Sequence, residues 1–113
     1  MVGPFSSEEI ARARRLPLFA ALNFIGAFHK ADGDYVSSEP ACKSKRIHVN
    51  YQGRDFRFIV TGEKWVNELL PRGSRNRGGG GAIDFVSHIT GLNFVQAVRI
   101  CLQSSERGVE QWD

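Results

Sequence analysis

Only two cysteines, Cys42 and Cys101, occur in the chain, and they share no spacing typical of a metal site or a disulfide framework. Tetrahedral zinc needs four Cys, His or carboxylate ligands, so the residues predict no bound metal and no other cofactor. Cys101 falls in an apolar helical pattern, where a small buried thiol is the usual role of cysteine. We therefore expect both thiols to be free and structural.

No apolar run is long enough to cross a bilayer, which needs about 20 consecutive apolar residues. The longest one, residues 16–28, is interrupted by a proline, an asparagine and a glycine. Two acidic residues, Glu8 and Glu9, precede any apolar stretch, unlike the start of a secretory leader. These absences predict a soluble, cytoplasmic protein with no membrane partner.

A catalytic pattern is also absent. The histidines at positions 29, 48 and 88 are scattered and have no nearby partner pattern. Asp32-Gly33-Asp34 favours a turn over a calcium site, because no further oxygen ligands follow at calcium-loop spacing. Asp84 falls in the first turn of an expected helix, where a carboxylate complements the helix dipole rather than acting as a base. We expect a protein that is not an enzyme.

Apolar and aromatic residues are abundant enough for one small domain. The 113 residues are 42% hydrophobic and include 8 Phe and 2 Trp, unlike a disordered chain. We expect a single domain over residues 1–113, with a core over residues 6–103 and a polar, fraying tail over residues 104–113. Ser6 followed by Glu9 is a capping box that predicts a first helix, and residues 17–26 predict a second.

Alternating apolar and polar residues predict a β-hairpin over residues 46–51 and 55–60. Residues 64–70 fit either a third strand or a short helix, and residues 71–81 are typical of a polar loop. Two helices separated by a glycine are expected over residues 82–102. The fold class is therefore α+β: a small antiparallel β-sheet, made of the hairpin plus a third strand if one forms, flanked by N-terminal and C-terminal helices.

Basic residues are concentrated in the middle third of the chain. Residues 43–77 carry nine Lys/Arg against three Asp/Glu, a net charge of +6, whereas the whole chain has +3. Such a block attracts anions and is typical of nucleic-acid binding, although a solvated basic face has the same composition. The candidate binding residues lie on the hairpin and in the loop after it: Arg46, His48, Tyr51, Arg54, Arg57, Arg72, Arg75, Arg77, Gly79 and Gly80.

These residue types suit the two chemical parts of a nucleic acid. Arginines neutralise phosphates, and an aromatic ring such as that of Tyr51 stacks on an unpaired base for about 1–3 kcal/mol. Glycines such as Gly79 and Gly80 let backbone N–H groups approach a phosphate at a helix N-terminus. A flexible linker is the alternative interpretation of the glycine-rich loop.

Two runs carry a family resemblance: GGGGAIDFV at residues 78–86 and GLNFVQAV at residues 91–98. The arrangement resembles the C-terminal half of the zinc-binding domain of bacterial-type DNA primases and of related Toprim-associated proteins of mobile elements. In that family a Gly-Gly-small-Ile-Asp-Phe-Val helix is followed by a Gly-x-Ser/Asn-Phe-x-x-Ala-Val helix. The likeness covers most of residues 16–102 and is specific in residues 78–98.

The chain departs from this family at the metal ligands. Primase zinc-binding domains carry a Cys-x-x-His pair and a Cys-x-x-Cys knuckle, but here Cys42 alone stands near the first pair and residues 61–77 replace the second. We therefore expect a zinc-ribbon-like relative without zinc. The resemblance implies binding of single-stranded DNA or primase template in the replication of a mobile element, with primer synthesis in a separate Toprim or polymerase domain.

The alternative is a protein–protein docking module for a primase, polymerase or helicase, with no direct DNA binding. An exposed apolar patch around Trp65, Leu69 and Leu70 would favour that alternative. Binding that is insensitive to salt would distinguish it from a nucleic-acid interface, because phosphate contacts weaken as salt is added.

Overall fold

A computed structural model describes residues 4–33, 35, 44–75 and 77–110, with side chains as far as residue 105. In this part of the chain, four helices and a five-stranded antiparallel sheet confirm the α+β class. The expectations for Cys42 and for Asp34 in its turn lie outside the described residues. Cys101 is a buried free thiol, as expected.

The first two helices begin and end at signals in the sequence. Helix α1 (Ser7–Arg14) starts with the capping box: the Ser6 hydroxyl accepts a hydrogen bond from the Glu9 N–H (3.1 Å), and the Glu9 carboxylate accepts one from the Ser6 N–H (3.0 Å). The hydrogen bond from the Ser6 backbone is the main reason why the pKa of Glu9 is lowered. Helix α2 (Leu18–Ile25) ends at Gly26, whose φ of 74° is left-handed.

Five antiparallel strands form one sheet in the order β1-β2-β3-β4-β5. Their bounds are β1 Phe28–Ala31, β2 Lys45–Tyr51, β3 Arg54–Thr61, β4 Lys64–Asn67 and β5 Gly78–Gly80. The predicted hairpin is β2 and β3, joined at Gln52 and Gly53. Both joining residues have positive φ (51° and 81°), as a type I′ turn requires.

The structure settles one alternative and adds two strands that were not predicted. Residues 64–67 form a strand, not a helix. Strand β1 falls in a stretch with no clear alternation, and β5 consists of three glycines inside the segment that we expected to be a loop. Both are edge strands, so they form by pairing with β2 and β4 rather than through a side-chain pattern of their own.

Two helices follow the sheet, α3 (Ala82–Thr90) and α4 (Phe94–Glu110). At the start of α4, Asn93 and Gln96 form a capping box, each side chain accepting a hydrogen bond from the other's backbone N–H (2.9 and 3.3 Å). Helix α4 continues beyond residue 103, where we expected a fraying tail. No proline interrupts this segment, and extending a helix costs much less than nucleating one.

Among the described residues, no single helix is both long and apolar enough to cross a membrane. Helix α3 and the Phe94–Ser105 part of α4 reach that length and hydropathy only as a pair. The two are bent by 115° at the break between them.

The helices cover one face of the sheet and form the core with it. Phe58 lies at the centre of this core, with its ring centre 4.8 Å from that of Phe85 and 5.6 Å from that of Trp65. Five alternating apolar residues of the predicted hairpin are buried: Ile47, Val49, Phe56, Phe58 and Val60. The alternate residues of β2 and β3 are half-exposed or exposed, on a face that none of the described helices covers.

The start of α3 depends on Gly81. Its backbone (φ 86°, ψ 163°) lies in a region that only glycine adopts readily, and a Cβ there would lie 2.6 Å from Arg14 Cγ. We predict that Gly81→Ala lowers the free energy of unfolding by about 1–3 kcal/mol, measured by urea denaturation. Gly80→Ala is the control, because a Cβ on Gly80 would meet nothing within 4 Å and the φ of Gly80 is not positive. Equal losses in the two variants would contradict this role of Gly81.

Candidate functional site

The uncovered face of the sheet brings together three of the predicted binding residues. Arg46, His48 and Arg57 are neighbours on β2 and β3, because His48 pairs directly with Arg57. Strand β1 contributes two more side chains, Phe28 and Lys30. We call this surface the open face, and its members are Phe28, Lys30, Arg46, His48, Asn50, Asp55 and Arg57.

Two carboxylates hold the arginines of the open face. The Glu68 carboxylate accepts a hydrogen bond from Arg46 Nε (2.9 Å), and Arg57 Nε lies 3.3 Å from the same Oε1 atom. Asp32 Oδ2 lies 3.5 Å from Arg46 Nη1, and the Arg46 guanidinium lies 4.7 Å from the centre of the Tyr35 ring. The hydrogen bond to Glu68 is the main reason why the pKa of Arg46 is raised. These two arginines are firmly positioned, and their charge is largely balanced locally.

A hollow of about 260 Å³ lies on the open face between Phe28 and Leu69. Both side chains are unusually exposed for their type, Phe28 by 67% and Leu69 by 49%. The polar groups that line the hollow belong to His48, Asn50, Asp55 and Arg57. Asn50 Nδ2 donates a hydrogen bond to Asp55 Oδ1 (2.8 Å), which fixes both side chains. The hollow thus combines an aromatic wall with polar groups able to pair with the edge of a planar ligand.

Two predicted binding residues, Tyr51 and Arg54, lie on the helix side of the sheet instead. They pair with each other at the end of the hairpin, and strand alternation places both on the face opposite Arg57. Arg54 Nη2 donates a hydrogen bond to the carbonyl of Ile89 (2.6 Å), near the C-terminus of α3. Tyr51 is half-buried against the core. The structure therefore does not bring these two side chains to the hollow.

Residues 71–77, which we call the arginine loop, begin directly after Leu69 and Leu70, and Leu69 borders the hollow. Arg77 is half-buried, and its Nε donates a hydrogen bond to the Leu70 carbonyl (3.0 Å). Arg72 and Arg75 are exposed. Arg77 therefore links the two ends of the loop. Arg72 and Arg75 are exposed to solvent and accessible to a ligand.

Gly79 and Gly80 belong to β5 rather than to a free loop, since they pair with Trp65 and Lys64 of β4. A Cβ on Gly79 would lie 3.0 Å from Trp65 Cζ2, so close packing explains the glycine at that position. A Cβ on Gly80 would meet nothing within 4 Å. Phosphate binding by these two glycines stays a prediction.

The exposed apolar patch around Trp65, Leu69 and Leu70 that would favour a docking module does not form. Trp65 is only 3% exposed and belongs to the core, because it faces Phe58 and Phe85 on the helix side of the sheet. Leu70 is half-buried. Leu69 alone of the three is well exposed, where it borders the hollow.

A second cavity, of about 550 Å³, was not predicted from the sequence. We call it the α3 cleft, and it is lined by Trp65, Gly78, Asp84, Ser87 and His88. The three α3 residues follow the i, i+3, i+4 spacing that places side chains on one helix face, a signal visible in the sequence. Their partner Trp65 comes from β4 and could not be assigned to them by spacing.

His88 is held as a neutral imidazole by the buried Asn67. Asn67 Oδ1 accepts hydrogen bonds from the backbone N–H groups of Arg57 (3.4 Å) and Leu69 (3.2 Å). Its Nδ2 therefore donates to His88 Nε2, 3.0 Å away, which leaves the imidazole proton on Nδ1. Burial, assisted by the charge of Arg54, lowers the pKa of His88.

Metal and thiol chemistry have little support in the described part of the chain. Within it, no group of three or more His, Cys, Asp or Glu side chains is placed to hold a metal ion. Burial raises the pKa of the Cys101 thiol to about 12, so the thiol stays protonated and packs as an apolar group.

No family model, no curated protein and no solved structure matches the chain. The resemblance to primase zinc-binding domains accordingly stays a prediction from residues 78–98.

We predict that His88 makes the fold less stable in mild acid. In the unfolded chain histidine titrates near its ordinary pKa of about 6.5, whereas the pKa of folded His88 is lower. Protonation therefore favours the unfolded chain. The stability that neutral His88 contributes is complete above a pH of about 6.5, and it is lost as the pH falls towards the pKa of His88 in the folded chain. Urea midpoints from about pH 7.5 to 5.5 measure the effect.

The variant His88→Gln cannot titrate but can still accept the Asn67 hydrogen bond. Its stability should therefore fall less over this pH range than that of the parent protein. An equal decrease in both proteins would show that groups other than His88 cause the loss.

Proposed function

We propose that this chain is a non-catalytic module that binds single-stranded nucleic acid, DNA in particular, on the open face of its sheet. The hollow between Phe28 and Leu69 carries the proposal. A sheet face that exposes an aromatic ring beside polar groups and cations is the arrangement on which unpaired bases stack. A duplex keeps its base faces inside the stack, so Phe28 favours a single strand.

Basic side chains around the hollow supply contacts to the sugar–phosphate backbone. Lys30 and His48 lie opposite each other on β1 and β2. Arg72 and Arg75 extend from the loop that follows Leu69. Because Arg46 and Arg57 already face Glu68, most of the attraction for phosphate comes from the loop and from Lys30.

A place in DNA replication is the further part of this proposal. It rests on the likeness of residues 78–98 to the zinc-binding domain of bacterial-type primases. In that setting the module holds a template strand for a separate primase, polymerase or helicase encoded by a mobile element. The open face supports the strand-holding part of that role, since stacking and phosphate contacts are tolerant of sequence.

Replacing the exposed ring tests the hollow. Fluorescence anisotropy at low salt should show micromolar or tighter binding of a labelled single strand and weaker binding of the matching duplex. Phe28→Ala should weaken single-strand binding by about 1–3 kcal/mol, roughly 5- to 150-fold, because one stacking partner is lost.

The matched control is Phe94→Ala, which removes a ring that is 49% exposed at the start of α4. It should leave the affinity for the single strand unchanged. Equal effects of the two substitutions, or no binding of any DNA at low salt, would contradict the proposal.

The arginine loop is tested by combining Arg72→Ala with Arg75→Ala. Each phosphate contact contributes about −0.7 to the slope of log K against log salt for a single strand, so the slope should become shallower by up to about 1.4. Combining Arg15→Ala with Arg99→Ala removes the same charge from exposed positions at the end of α1 and in α4. If both double variants lose affinity and slope equally, net charge acts alone and the loop makes no contact.

A further inference from the structure

The outer edge of strand β5 has backbone groups that β4 does not use. Three residue pairs join the two strands through hydrogen bonds: Glu63 with Gly81, Trp65 with Gly79, and Asn67 with Arg77. The outer two pairs contain the bonds donated by Gly81 N–H (2.8 Å) and Asn67 N–H (2.7 Å), and the middle pair follows because bonded and non-bonded pairs alternate along an antiparallel ladder. Gly78 and Gly80 occupy the non-bonded positions, so their N–H and C=O groups face away from β4.

These outward groups are accessible to a partner. In the described part of the chain β5 is the last strand of the sheet, and Gly78 and Gly80 are both exposed. An edge whose N–H and C=O groups are unpaired is a template on which a further strand can be added. Because β5 consists of glycines, a strand added here would meet no side chain of β5 itself.

The glycine at position 80 has no explanation within the described residues. Gly79 is explained by packing, because a Cβ there would lie 3.0 Å from Trp65 Cζ2. At Gly80 the φ is not positive, and a Cβ would meet nothing within 4 Å. Glycine weakens a strand, and it often marks a place where another backbone approaches closely. Gly80 therefore fits an edge that receives a further strand.

The α3 cleft opens beside this edge. Gly78 and Asp84 both line the cleft, and both are exposed. A Cβ on Gly79 would lie 3.3 Å from Asp84 Cβ, so position 79 faces α3. Residues directly opposite each other in an antiparallel pair place their side chains on the same face. In a strand paired with β5, the residue opposite Gly79 therefore directs its side chain towards the cleft.

The rim of the cleft favours a basic side chain at that position. Asp84 is the one charged residue among those that line the cleft. Ser87 donates its own proton to the Leu92 carbonyl (2.7 Å), which leaves its hydroxyl oxygen as an acceptor. Lys and Arg side chains only donate hydrogen bonds, so either one complements both groups.

We propose that the outer edge of β5 binds an extended segment of another protein as a sixth strand, with a Lys or Arg side chain opposite Gly79. The added strand is antiparallel, as every neighbouring pair in this sheet is. Main-chain hydrogen bonds to Gly78 and Gly80 supply most of the affinity, and the cleft supplies the preference for a basic residue. This inference does not depend on the nucleic-acid site of the open face.

A capped heptapeptide, Thr-Val-Thr-Lys-Thr-Val-Thr, is the probe, because β-branched residues favour an extended chain. In a proton–nitrogen correlation spectrum it should move the amide signals of Gly78 and Gly80 saturably downfield, since each N–H gains an acceptor. The Gly79 signal should move less, because β4 already accepts from that N–H. No saturable shift of Gly78 and Gly80 at millimolar peptide would overturn the proposal.

Two methylated peptides distinguish strand pairing from other contacts. With lysine opposite Gly79, the N–H groups of the two threonines beside it face β5, whereas that of lysine faces away. N-methylation of those threonines should lower the affinity at least about tenfold, because two hydrogen bonds are lost. N-methylation of the lysine should change it by less than about twofold. Equal effects of the two modifications would show that the peptide does not pair with β5.

The variant Gly80→Pro removes one outward N–H that β4 does not use, and proline is tolerated on edge strands. Peptide affinity should fall at least about threefold, whereas Gly80→Ala, which keeps the N–H, should bind as the parent does. Urea midpoints check that both variants fold, and the methylated peptides test the same contact on the parent protein. A folded Gly80→Pro variant with unchanged affinity would contradict the proposal.

Replacing the lysine of the probe with glutamate tests the cleft. The glutamate peptide should bind at least about threefold more weakly, and Asp84→Asn should remove that difference. Glu8→Gln is the matched control, since it removes the same charge from an exposed position on α1. Equal affinities of the two peptides for the parent protein would exclude the basic preference.

Sedimentation of the protein alone tests a second copy as the occupant of the edge. We expect a monomer in the parent protein at the concentrations used for peptide binding. Self-association that Gly80→Pro abolishes would place a second copy on β5 and overturn the proposal. Phe28→Ala should leave the peptide affinity unchanged, because the open face lies on the other side of the sheet from the α3 cleft.

Discussion

The direct packing of the β5 backbone against Trp65, with no side chain between them, is the constraint on which the rest of the structure depends. It brings the start of α3 close to the sheet, so that the Phe85 ring reaches Phe58 in the core. The same contact leaves a cleft beside Trp65 rather than a filled interior. Stability and the second candidate site therefore have one physical origin.

The composition of the middle third does not show which of its basic residues face acidic partners. The excess of arginine and lysine in the middle third is opposed on the sheet by Asp32 and Glu68, which hold Arg46 and Arg57 in fixed positions. Exposed positive charge is found instead in the loop, at Arg72 and Arg75. The sheet therefore provides shape and stacking, and the loop provides most of the attraction for phosphate.

Local signals predicted much of the fold, and contacts between distant segments account for the differences. The capping box at Ser6, the glycine that ends α2 and the alternation of β2 and β3 are short-range patterns, and all are confirmed. Strand β5 consists of glycines and therefore has no side-chain pattern. It can be recognised only from its pairing with β4. The contacts of Arg54 and Trp65 could not be predicted for the same reason, since helix α3 decides what each side chain meets.

Asn67 joins the two candidate sites through one buried amide. Its oxygen holds the backbone of Arg57 and Leu69 beneath the hollow, and its nitrogen holds His88 in the wall of the α3 cleft. A ligand that shifts the turn at Leu69 must therefore strain or relax the hydrogen bond to His88. The hollow and the α3 cleft therefore share one structural support.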